Sequence, residues 1–90
     1  MTVNELLLAA KLAMPRHNVS ALCRELNISR ATYYSWCNWD KDGTLPEDDK
    51  LGKLAELAGV SVDAATFAVY AARVKNPIIS KVFAQQAALF

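Results

Sequence analysis

The stretch Val19-Ser-Ala-Leu-Cys-Arg-Glu-Leu-Asn-Ile-Ser-Arg-Ala-Thr-Tyr-Tyr-Ser-Trp-Cys-Asn38 decides how the rest of the chain is read. Leu22, Cys23 and Leu26 recur at helical spacing and give a short helix one apolar face. Asn27 follows where that helix must end, and asparagine tolerates the left-handed backbone conformation that terminates helices. Ile28 is an apolar plug between the two segments. Ser29 is placed to cap a second helix by accepting a hydrogen bond from a free backbone N–H. On that helix Tyr33 and Trp36, three apart, point inward. The stretch therefore predicts two short helices around a tight turn, with a basic and aromatic outer face on the second.

Composition supports an all-α setting for this unit. Ninety residues, 53% of them hydrophobic, suffice for one small domain with a single core. The apolar residues are largely alanine and leucine, with three glycines and three prolines, a mixture that favours helices. No apolar run approaches the roughly 18 residues of a membrane span. The amino terminus has neither the basic start nor the cleavage site of a signal peptide, so the expected compartment is the cytoplasm and no membrane partner is expected. Cys23 and Cys37 are too few for a disulfide scaffold and too isolated for ligand spacing; they are expected to be buried or half-buried thiols.

Outward from the central stretch, a first helix is predicted over residues 2 to 14. Thr2 and Glu5 form a capping box, Val3, Leu6, Leu7, Ala10 and Met14 an apolar stripe, and Pro15 a stop. Leu8 and Leu12 widen that stripe, which predicts packing against more than one neighbour. Asn18 is a suitable cap for the helix that follows the Pro15-Arg16-His17 linker. After a polar loop from Trp39, Pro46 near the start of a fourth helix and the acids Glu47, Asp48 and Asp49 suit a helix amino terminus. Leu51, Leu54, Ala55 and Ala58 form its buried face, with Gly59 as the stop. Gly52, inside this helix, is either a weak point or a site of close helix approach.

Ser61 caps a fifth helix running to about Lys75, apolar almost all round and so either central in the core or shared with another chain. Asn76-Pro77 starts a sixth. A five-helix unit over residues 1–75 does not require this last segment, 76–90, which either completes the core or dimerises; Ile79, Val82, Phe83 and Phe90 are the expected dimer surface.

The net charge of +1 says little, but its distribution says more. Residues 16 to 38 hold Arg16, Arg24 and Arg30 against Glu25, whereas residues 39 to 60 are acidic and the carboxyl-terminal part is basic again. Catalysis has little to build on. His17 has no sequence-local acid or nucleophile as a partner. Glu47-Asp48-Asp49 lacks calcium-loop spacing, and there is no glycine-rich phosphate loop. No enzyme activity, cofactor, metal or small-molecule ligand is expected.

The central stretch, with one helix before it and two or more after a polar loop, resembles the five-helix helix-turn-helix domain of the Cro/cI-type (XRE-like, lambda-repressor-like) repressors. The resemblance covers residues 2 to 75, with Leu22, Cys23, Leu26, Asn27, Ile28, Tyr33 and Trp36 in the family's packing positions. Leu54-Ala-Glu-Leu-Ala-Gly-Val-Ser61 is a further common passage, and the whole chain is similar to small phage-encoded regulators. The resemblance implies a DNA-binding transcriptional regulator, probing the major groove of double-stranded DNA with residues 30 to 37 and acting as a homodimer.

Carried over by position, Ser29, Arg30, Ala31, Thr32, Tyr34, Ser35 and Asn38 are the implied DNA-reading residues. Arg30 suits the two acceptors of guanine, and Ala31 or the Thr32 methyl suits a thymine methyl. Arg16, His17, Asn18, Ser20 and Lys41 are the implied phosphate contacts. Val19 stands where the family often has glutamine and Asn27 where it has glycine. Asp40 and Asp42 follow the recognition helix, which implies modest affinity per monomer. Two other functions suit the same residues: a helical protein-interaction module without DNA binding, and the DNA-binding head of a recombinase or transposase.

Overall fold

The computed structural model describes all 90 residues, Met1–Phe90, as six α-helices without strands. The first, α1 (Val3–Leu12), begins with the expected reciprocal cap: the Glu5 amide donates to Thr2 Oγ1 and the Thr2 amide to Glu5 Oε1, both at 3.1 Å. Val3, Leu6, Leu7 and Ala10 are buried. The helix ends at Leu12, earlier than predicted, and Met14 packs on the core from beyond its end. Leu8 and Leu12 are half exposed rather than packed. Even so α1 touches three later helices, because its single buried face meets all of them.

Pro15–His17 forms a short 3-10 turn with Arg16 and His17 both in the left-handed region, at φ 57° and 52°. Asn18 then caps α2 (Val19–Leu26), its Oδ1 accepting from the amides of Ser20 and Ala21 at 2.8 and 3.2 Å. After the turn at Asn27 comes α3 (Arg30–Cys37), and after a longer loop α4 (Asp48–Ala58). Pro46 lies near the start of α4 as expected, directly before the cap residue Glu47, and is buried. Gly59 ends α4 at φ 72°. Ser61 caps α5 (Val62–Arg73), and Asn76 caps α6 (Pro77–Leu89).

Helix α5 is central, as its apolar circumference suggests. It meets α1 and α4 on one side and α6 on the other. Its buried residues are mostly alanines, Ala64, Ala65 and Ala68 beside Val69, so these helices approach closely. The radius of gyration, 12.4 Å, matches the about 12 Å of a folded chain this long. Tyr70 donates to the Asp48 carboxylate at 3.1–3.2 Å, and Arg73 donates to the Pro46 carbonyl at 3.0 Å, which fixes the entry to α4 against α5.

The last helix folds back onto α5. Ser80 Oγ donates to the Ala71 carbonyl at 2.6 Å, Ala87 is buried, and the Phe83 ring lies 6.1 Å from Phe67 and 6.2 Å from Tyr70. Phe83, expected on a dimer surface, thus packs within the monomer.

Gly52 is decided by space. A Cβ built there meets nothing within 4 Å, so the residue is a weak point in α4 and not a close contact. Gly52→Ala is expected to stabilise the fold by about 0.5–1 kcal/mol, because alanine has less backbone entropy to lose. Urea unfolding would show this as a higher midpoint at unchanged slope.

Candidate nucleic-acid interface

The interface is built from the α2–α3 turn outward. Asn27 adopts the left-handed conformation, φ 55° and ψ 49°, and its amide donates to Arg24 O at 3.2 Å while that of Ile28 donates to Cys23 O at 3.0 Å. These bonds satisfy carbonyls that the end of α2 leaves free. Cys23 Sγ donates a weak bond to the Ser29 carbonyl at 3.8 Å from inside the turn. Ser29 Oγ accepts from the Thr32 amide at 3.1 Å and lies 3.0 Å from Thr32 Oγ1. Burial pushes the Cys23 thiol up, against the opposing charge of Arg30, and burial likewise pushes the Tyr33 phenol up. Both groups are held neutral.

Tyr33 and Trp36 are buried, so the rotational setting of α3 is fixed from its inner side. Arg30, Ala31, Tyr34 and Asn38 are exposed as expected, whereas Thr32 and Ser35 are half-buried. Hydrogen bonding divides the reading set further. Ser29 and Thr32 hold each other, and Asn38 Nδ2 donates back to the Tyr34 carbonyl at 2.9 Å. Ser35 Oγ lies 3.0 Å from Thr44 Oγ1 and accepts from the Thr44 amide at 3.0 Å. The uncommitted groups on α3 are the Arg30 guanidinium, the Ala31 methyl and the Tyr34 hydroxyl.

The Ser35–Thr44 pair ties the following loop to α3, and Trp39 Nε1 ties it to α1 through Asn4 Oδ1 at 3.2 Å. Between this loop, α3 and the start of α4 lies an open cleft of about 570 Å3. Thr32, Ser35 and Thr44 line it, with Lys50 reaching in from α4. Lys41 is exposed at the far end of α3, its amide bonded to the Asn38 carbonyl at 3.0 Å, with Asp40 and Asp42 exposed on either side.

A second groove, of about 480 Å3, runs between α2 and the start of α3 and is lined by Ser20, Cys23, Arg24, Ile28 and Arg30. Arg24 and Arg30 line it together, and Arg24 is not among the contact residues the sequence implies. Its signal was present: Arg24 lies four residues after Ser20 and so shares its helix face. The ion pairs of the protein involve Lys53 and Arg73, so Arg16, Arg24, Arg30 and Lys41 are among the eight lysines and arginines without one. Arg16, His17 and Asn18 are exposed at the other end of α2.

Cys37, expected to be at least half-buried, is exposed at the end of α3 and lines a small groove with Leu8, Lys11 and Tyr33. No three His, Cys, Asp or Glu side chains converge to hold a metal ion, and no helix is long and apolar enough to cross a membrane. Protein-family models, curated proteins and solved structures yield no match to this chain.

Proposed function

We propose that the chain is a sequence-specific DNA-binding transcriptional regulator of the lambda-repressor-like helix-turn-helix type, similar to phage repressors, with α3 entering the major groove. The observation that carries this reading is the unpaired Arg24–Arg30 groove on a helix pair whose inner side is locked by Tyr33 and Trp36. A rigid helix presenting an uncommitted guanidinium at its amino end suits bidentate recognition of guanine O6 and N7. The Ala31 methyl beside it suits a thymine methyl. Arg24, Ser20 and the Arg16–Asn18 turn suit the flanking phosphates.

Ser35 and Asn38, already bonded within the protein, serve to hold the loop and close the helix rather than to read bases. Asp40 and Asp42 repel phosphate at the far end of α3 and confine the footprint to its amino-terminal half. Selection of bound duplexes from a random pool, followed by titration of the selected site, tests the assignment. Arg30→Ala is expected to cost about 1–3 kcal/mol at one G·C pair and to relax selection there. Equal weakening for every sequence would make Arg30 a phosphate contact instead.

A further inference from the structure

The two flanks of α3 differ in charge. Two residues along an α-helix make more than half a turn, so Arg30 and Thr32 stand on opposite sides of α3. On the Arg30 side two grooves open, one lined by Arg24 and Arg30 and the other by Lys11 and Cys37, and no acid lines either. Glu25, the one acid of α2, is turned to α4, where its carboxylate lies 3.9 Å from Lys53 Nζ.

The Thr32 side borders the cleft toward α4. Lys50 lines this cleft together with Glu47. The loop and helix start that wall it also carry Asp40, Asp42 and Asp49, all exposed, with Lys41 as their only further base. Asp48 is engaged by Tyr70 and Arg73. Acid therefore exceeds base on this flank even with Asp48 set aside. No residue before Asn27 lines the cleft, so Arg16 and Arg24 lie off it.

A helix with its side chains is about 10–12 Å across and the major groove about 12 Å wide. A helix lying in that groove turns one flank to the phosphates of each strand, so charge on a flank acts on one strand. We infer that the chain grips the phosphates of one DNA strand only, the strand facing Arg24, and leaves the strand facing the cleft unheld. This one-sided hold rests on α3 entering the major groove and adds which backbone the protein grasps. Arg30 takes the base edge, Arg16 and Arg24 neutralise phosphates of the near strand, and Ser20, lining the groove with Arg24, offers a hydroxyl there. A phosphate of the far strand meets Glu47 together with Lys50 and gains no net attraction. Lys41, a phosphate contact by resemblance, stands on the unheld flank, outweighed by Asp40 and Asp42 on either side of it.

Methylphosphonate linkages, which remove the phosphate charge and keep the strand continuous, test the inference. They are placed across a single half-site of the selected duplex, in one strand at a time, and the full chain is titrated at about 50 mM salt. In one strand they are expected to weaken binding about tenfold, roughly threefold for each of two phosphates. In the other strand they are expected to change it by less than about twofold. Arg24→Gln, an exposed substitution whose fold a circular dichroism melt checks, is expected to shrink the larger effect to about threefold. Equal effects from the two strands overturn the inference, as does a strand difference that Arg24→Gln leaves untouched. Failure of the unmodified duplex to bind overturns the DNA-binding reading itself, and the one-sided hold with it.

Discussion

Trp36→Ala is expected to remove about 3–5 kcal/mol of folding stability, the range for truncating a large buried aromatic. Trp36 is 2% exposed and sits beneath the cleft with Ile28 and Leu45. It is the point where α3, the turn before it and the loop after it meet one core. At about 4–8 °C per kcal/mol for a chain of this size, its melting temperature should fall by at least ~12 °C. A thermal melt followed by circular dichroism measures this directly. A loss below about 1 kcal/mol would mean that α3 is not anchored from its inner face, and the setting of Arg30 would lose its physical basis.

Gly43→Ala should be nearly as damaging for a different reason. A Cβ at position 43 would lie 2.7 Å from both the carbonyl carbon and oxygen of Asn38, and closer still to the Ser35 carbonyl oxygen. These are backbone atoms at the end of a helix and cannot rotate away. The loop must move, straining the bonds from the Gly43 amide to Asn38 O at 3.0 Å and from the Thr44 amide to Ser35. A cost of about 2–4 kcal/mol is expected in urea unfolding, with lost hydrogen-exchange protection at the Gly43 and Thr44 amides. An unchanged midpoint would contradict the close approach of loop and helix. The contrast with Gly52→Ala, expected to stabilise, separates a glycine required by space from one that merely weakens a helix.

The parts legible in the sequence are those set by neighbours along the chain. The cap residues Thr2, Asn18, Ser29, Ser61 and Asn76 act within three residues of themselves, so their roles follow from local order. The inward setting of Tyr33 and Trp36 follows from helical period alone. The loop after α3 does not, because its shape depends on Ser35 meeting Thr44 nine residues later and on Arg73 holding the Pro46 carbonyl. The same limit applies to α6. Apolar residues lie on both of its sides, Ile78, Val82 and Leu89 on one and Phe83 and Ala87 on the other, and which side α5 takes depends on where Phe67 and Tyr70 lie. For this reason Phe83, one of the expected dimer residues, is half-buried against Phe67 and Tyr70. Leu8 and Leu12, expected in contact, stand exposed.

The candidate site divides in the same way. The resemblance implies Arg30, Ala31 and Tyr34 as outward, and they are exposed, but it does not show that hydrogen bonds commit Thr32, Ser35 and Asn38 to the protein itself. Nor does it put Arg24 and Arg30 on one groove, an arrangement made by the turn at Asn27.

The most direct test of α3 as a DNA reader is titration of the full chain with duplex DNA at about 20–50 mM salt, repeated as salt is raised. Association is expected at low salt, weakening with a log–log slope of about −2 per subunit, as for neutralisation of about two phosphates by Arg16 and Arg24 while Arg30 is held on a base. Failure to associate with any duplex at the lowest salt would contradict the DNA-binding function.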